Sequence, residues 1–278
     1  MRRVRAATLA VLALMLSPGI AATADIRVLS VGSVQIATKV IAAEFEKTSG
    51  HKVLFTIVSP DQIAGRLASA SYDMLIASVP VIEALDQAGG IRPKTRAPLA
   101  RAGIGVMVRD GAPVPDVATA EAFRKALLAA RSIVHGDPAL PNQSGVVTMR
   151  ILTKAGILDA VRAKALPAGL AEGLAMVAKG EVELALFNQV ELPAGVRLAG
   201  SVPVPLQDYT FYEVALLANG DAPEAAQAFI ARMTDPAARK NLGSGAARCL
   251  SLPVSRRVRN PPRGFCVDGL ASPQWHRR

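Results

Sequence analysis

The chain has 278 residues, 51% of them hydrophobic, and a net charge of +10 at neutral pH. Such a length allows one large or two modest domains with a substantial core, and the charge taken alone points toward a nucleic-acid partner. Its distribution excludes that partner: three positive charges lie in the first five residues and a net six after Ala247, which leaves residues 25–247 at +1. Both cysteines, Cys249 and Cys266, also lie after Ala247, so the body depends on its core rather than on disulfides.

The chain opens with a basic segment, MRRVR, an apolar stretch of 11 residues, AATLAVLALML, and Ala22-Thr23-Ala24, an A-x-A cleavage pattern. That is a secretory signal peptide over residues 1–24. It is too short for a membrane span, which needs roughly 20 apolar residues. A mature, exported chain is expected from Asp25, with no membrane span once the signal is removed.

Strand and helix signals then alternate. IRVLSV, KVLFTI and DMLIAS are short β-branched runs, separated by QIATKVIAAEFEKTSG and PDQIAGRLASASY. Ile36, Val40, Ile41 and Phe45 give the first of these a helical stripe, and Ile63 and Leu67 the second. Gly50 suits a helix C-cap and Pro60 a first helical turn. This βαβαβ order predicts a parallel sheet covered by helices. VIEALDQAGGI is a further helix, and PLARAGIGVMVRDG a long strand or strand pair able to cross between lobes. Beyond the turn GAPVPD, TAEAFRKALLAA is a helix with Thr119 as N-cap, and RSIVHGD is a strand entering a loop. SGVVTMRILTKAGI is a helix capped by Ser144, with Val147, Ile151 and Leu152 facing inward. LAEGLAMVAKGE is a helix, VELALF a buried strand and YTFYEVALLANG an alternating strand. APEAAQAFIARMTDPAARKNL supplies two closing helices divided at Asp235-Pro236. Residues 248–278 lack periodicity, are rich in Arg and Pro, and are expected to form a disordered basic tail.

Two βα junctions stand out. VGSVQI ends a strand on Gly32-Ser33 and enters a helix without any charge, and Ile57-Val58-Ser59-Pro60 repeats the pattern. A serine there caps a helix in many proteins. It also fits anion capture, because a helix N-terminus carries unpaired N–H donors and a partial positive charge. His51 follows a helix C-terminus, where an imidazolium would meet the helix dipole. With His51, His135 and His276 the only histidines, and no H-E-x-x-H, no metal site or cofactor is expected. Tyr209 and Tyr212 share an alternating strand; one could line a cleft, and same-face packing is the plainer reading.

In order and spacing, IRVLSVGS…AAEFEKTSGHKV, YDMLIASVPVIEALDQAGGI, VHGDPALPNQSG, GLAMVAKGEVELALF and PEAAQAFIARMTDPAARK resemble the type II periplasmic solute-binding proteins, most closely their molybdate-binding branch. The resemblance spans about residues 25–242. It implies an α/β fold of two lobes joined by a hinge of two crossover strands: lobe 1 over 25–102 plus 208–247, lobe 2 over 103–207. It also implies a monomeric, periplasmic, non-enzymatic component of an ABC importer, whose partners are a small anionic ligand and a permease. The ligand would be held by Gly32, Ser33 and Ser59 from lobe 1 and by Ala139, Gly169 and Asn188 from lobe 2. Asn142, Gln143 and Ser144 could add donors. Where the molybdate branch places a tyrosine, this chain has Asn188, whose amide suits an oxyanion or a carboxylate equally well.

RDGAPVPDVATAEAFRKALLAARSIVHGDPA…SGVVTMRIL is also similar to a subgroup of this fold that includes aconitate isomerase. That similarity implies an alternative, isomerisation of a small tricarboxylate, for which a base and an acid are needed. His135, two residues from Asp137, is the histidine suited to that work. Its plainer role is a hydrogen bond to a loop carbonyl.

Overall fold

The computed structural model of the chain describes residues 23–140, 143–189 and 192–240. The first 22 residues of the expected signal peptide, the expected basic tail and both cysteines lie outside the described residues, as does Asn142.

Three apolar runs form β1 (Asp25–Val31), β2 (Lys52–Val58) and β3 (Met74–Ser78), parallel to one another in the order β2-β1-β3. Helices α1 (Gln35–Ser49) and α2 (Ile63–Ser69) fill the crossovers, and α3 (Val79–Gln87) leaves β3. After α4 (Ala120–Ala129) the scheme repeats with β5 (Ile133–Gly136), β6 (Ala165–Ala168) and β7 (Leu184–Asn188), parallel in the order β7-β5-β6. Between β5 and β6 come α5 (Gln143–Lys154) and α6 (Leu158–Arg162), and between β6 and β7 comes α7 (Leu170–Lys179).

Two antiparallel strands join these halves. β4 (Ala97–Arg109) is a single strand of 13 residues, not a pair. Its first part lies beside β9 (Tyr209–Leu216), which also pairs with β3. Gly103 is opposite Tyr209, whereas Ile104, the next residue, is opposite Asn188 of β7. β8 (Val196–Ser201) flanks β4 from Gly105 onward. The closing helices α8 (Pro223–Thr234) and α9 (Pro236–Lys240) return to the first half, where the Phe229 and Phe45 rings stand 5.1 Å apart. The result is two α/β lobes with separate cores: Ile26 to Ala102 plus Tyr212 to Met233 in one, residues 104–206 in the other.

Local chemistry explains the boundaries. Gly50 ends α1 at φ +76°, a conformation that costs a side chain dearly. Thr119 caps α4, its Oγ1 accepting the Ala122 N–H at 3.1 Å. Arg96 ties α3 to β9, 2.8 Å from Glu213 and 3.1 Å from Asp86. Burial alone would lower its pKa, yet the two carboxylates hold it above the ordinary arginine value.

One expectation needs correction. The buried face of α1 is Ala37, Thr38, Ile41, Ala42 and Phe45, while Ile36 and Val40 are exposed. Thr38 can be buried on that face because its hydroxyl is satisfied locally, donating to Val34 O at 3.0 Å. The His51 Nδ1 accepts the Ala24 N–H at 3.1 Å, and its ring stacks on Phe45 at 5.9 Å. Strands β6 and β8 escape the pattern because both are edges. β6 contains Pro167, tolerated only where no ladder donor is needed, and β8 contains Gly200.

Candidate functional site

A cleft of about 580 Å³ opens across the carboxyl ends of the parallel strands of both lobes. This is where open α/β sheets place ligands, beside the helices that leave those ends. Val31, Gly32 and Ser33 line it at the end of β1, Val58 and Ser59 at the end of β2, and Ser78 at the end of β3. From the second lobe come Leu140, Ser144, Gly169, Leu170 and Asn188, and Tyr212 of β9 completes the wall.

Each residue arrives through its local structure. Gly32–Val34 is a 3-10 turn leading into α1, and the half-buried Ser33 hydroxyl makes no hydrogen bond to another described residue. Ser59 precedes the turn Pro60–Gln62 and is fixed by its own N–H donating to Gln62 Oε1 at 3.2 Å. Ser78 is the N-cap of α3, and its side chain makes no capping bond. Gly169 is the N-cap of α7 at φ −64°, a conformation open to any residue. A Cβ there would meet nothing within 4 Å, and one on Gly32 only Ile57 Cγ2 at 3.8 Å, so the space before both belongs to the cleft.

Asn188, 6% exposed, lies at the lobe junction. Its Nδ2 donates to the Tyr212 hydroxyl at 3.0 Å, and its Oδ1 accepts from the Thr210 hydroxyl at 3.3 Å. One amide of the second lobe is thereby oriented by two hydroxyls on β9.

Ala139 stands apart from the other candidates. It does not line the cleft, and its N–H donates to Asp137 Oδ1 at 2.8 Å, closing an Asx turn. Gly136 and Gly145 let this loop sit against the first turn of α5: a Cβ on Gly145 would come within 2.5 Å of Gly136 O. His135 is buried on β5, away from the cleft, with Nδ1 2.8 Å from Gly136 O. Since a carbonyl can only accept, Nδ1 carries the proton.

Among the described residues no lysine or arginine lines the cleft; the charged side chains that do are Asp61 and Glu172, both exposed and each in the first turn of a helix. Among the described residues no three His, Cys, Asp or Glu side chains gather as a metal set, and no helix is long and apolar enough to cross a membrane. What the cleft offers is hydroxyls, one oriented amide and the N-termini of α1, α3 and α7. Such a set solvates an oxyanion without a buried cation.

Ser78 was not expected here, and for Tyr212 packing was the plainer expectation, with a place in the cleft as the alternative. Ser78 carries a readable signal, since Ser78-Val79-Pro80 places a proline in the first turn of the next helix much as Ser59-Pro60 does. Tyr212 has none, because only the pairing Ser78↔Tyr212 shows which face of β9 meets the cleft.

Known proteins fit this picture. The model of the bacterial extracellular solute-binding protein family matches residues 26–244. An aconitate isomerase from a Pseudomonas species is 31% identical over 251 residues, covering 85% of this chain and 94% of that protein. The periplasmic molybdate-binding protein of Azotobacter vinelandii superposes with a TM-score of 0.63 at 20% identity, over 82% of this chain and 99% of that one. A sulfate-binding protein of Mycobacterium tuberculosis gives 0.64 at 18% identity, over 84% and 88%.

Proposed function

We propose, proceeding from the fact that the chain belongs to the bacterial extracellular solute-binding protein family, that it captures a small anion between its lobes and delivers it to an ABC importer from the periplasm. The observation that carries this reading is a cleft walled by Ser33, Ser59, Ser78, Asn188 and helix N-termini from both lobes, with no basic side chain among the described residues that line it. A neutral ligand would leave aligned N–H donors unanswered, and the two carboxylates of the cleft, Asp61 and Glu172, are both exposed to water. Closure of the lobes would remove water and strengthen each donor. The ligand is a molybdate-like oxyanion or a small carboxylate, both of which resemble what the named relatives handle.

A thermal-shift series with molybdate, tungstate, sulfate, phosphate, citrate and both aconitate isomers tests this. A ligand at a hundred times its Kd adds about 2.7 kcal/mol of stability, a plainly raised midpoint. A series in which no anion moves the midpoint would remove the proposal.

A second reading, isomerisation of a small tricarboxylate, is favoured by the aconitate isomerase relative. His135 is badly placed for it, since it lies off the cleft with Nδ1 committed to Gly136 O. Asp61 and Glu172 are the cleft side chains able to take a proton. Ultraviolet absorbance of aconitate decides: interconversion of the isomers that is lost in Glu172→Gln supports an enzyme, and silence with demonstrated binding supports a carrier.

A further inference from the structure

We infer that Gln207, which does not line the cleft, is a positioning residue for ligand capture: its amide fixes the pivot about which the lobes move. The inference rests on the reading of the chain as a protein that binds by lobe closure. β9 ends its pairing with β4 at Gly103, and β8 begins at Gly105. Ile104 lies between them, fully buried, and a buried backbone donor there must find a partner.

The Gln207 side chain fills that gap. Its Oε1 accepts the Ile104 N–H at 3.0 Å, and its Nε2 donates to Ile104 O at 2.9 Å. One amide thus bonds both backbone groups of a single residue, as a neighbouring strand would. The remaining valences are used as well: Nε2 also donates to Val202 O at 3.2 Å, and Oε1 accepts the Asp208 N–H at 3.2 Å. Room for this is reserved by Gly103, where a Cβ would come within 2.9 Å of Nε2.

The amide therefore joins the first crossover, β4, to the second, the segment entering β9. The effect reaches the cleft by one step, because Ile104 is the residue opposite Asn188. A residue that acts on the lobe equilibrium multiplies the Kd of every ligand by one factor, whereas a residue touching the ligand changes each Kd differently.

The test compares the wild-type exported chain with Gln207→Leu and with Gly103→Ala, which displaces the amide without removing it. Calorimetric Kd values for molybdate, sulfate and citrate are measured alongside amide hydrogen exchange, with Ser33→Ala as the cleft control. Both hinge variants are expected to raise every measurable Kd by one shared factor of about ten, and to speed exchange at Ile104 while Leu29 and Phe123 keep their protection. Ser33→Ala should change the ratios between ligands and leave Ile104 protected. Unchanged Kd values, factors that differ between ligands, or exchange rising equally in both lobe cores would overturn the inference. Should wild-type protein bind none of the anions, the anion-capture reading fails separately, and exchange at Ile104 decides whether Gln207 holds the crossover.

Discussion

Asn188 and Tyr212 meet at 3.0 Å, the amide of one lobe donating to the hydroxyl of the other, where β4 changes partner from β9 to β7. Both side chains are buried and line the cleft, so this bond ties the cleft wall of one lobe to that of the other. Tyr212→Phe keeps the ring and removes the acceptor. Urea unfolding should show a loss of about 1–2 kcal/mol, accompanied by weaker anion binding. Stability and affinity both equal to wild type would mean that the bond orients nothing.

Gly169→Ala separates fold from function. The backbone there suits alanine and the added methyl touches no protein atom, so stability should hold or rise by about 0.4–1 kcal/mol from a less flexible unfolded chain. The same methyl enters the cleft at the start of α7, and titration should show reduced affinity. A stabilised variant with undiminished affinity would place the ligand elsewhere.

Ser33→Ala removes a hydroxyl that makes no hydrogen bond to another described residue. The fold should therefore lose little, while a buried donor to an anion is worth about 1–3 kcal/mol of binding. Equal calorimetric affinities for the two proteins would reduce Ser33 to a turn former.

Much of this was readable from residue order. Gly50, Thr119 and the apolar stripe Val147, Ile151, Leu152 announce their helices because caps and periodicity are local chemistry. The βα junctions carrying Ser33, Ser59 and Gly169 were legible for the same reason, and the structure brings them to one cleft with Asn188. Where the Ala139 N–H points was not legible, because that depends on the Asp137 rotamer. Nor were Tyr212 and Gln207: each acts through a partner far away in sequence, Asn188 for one and Ile104 for the other. Long-range register writes no local pattern.

Thr148 offers a test of packing alone. It is fully buried on α5, and its Oγ1 has no hydrogen-bond partner among the described residues. Thr148→Val preserves the shape and removes the unanswered hydroxyl, so thermal unfolding should show a gain of about 1 kcal/mol. A loss of stability would reveal a partner for that oxygen in solution.

The most direct measurement is isothermal titration of the protein with molybdate, sulfate, citrate and both aconitate isomers, repeated on Ser33→Ala and Gly169→Ala. Anion capture in the cleft predicts saturable one-to-one binding of at least one anion, weakened by both substitutions although each variant unfolds like wild type. Binding indifferent to both substitutions, or no binding of any anion, would contradict it.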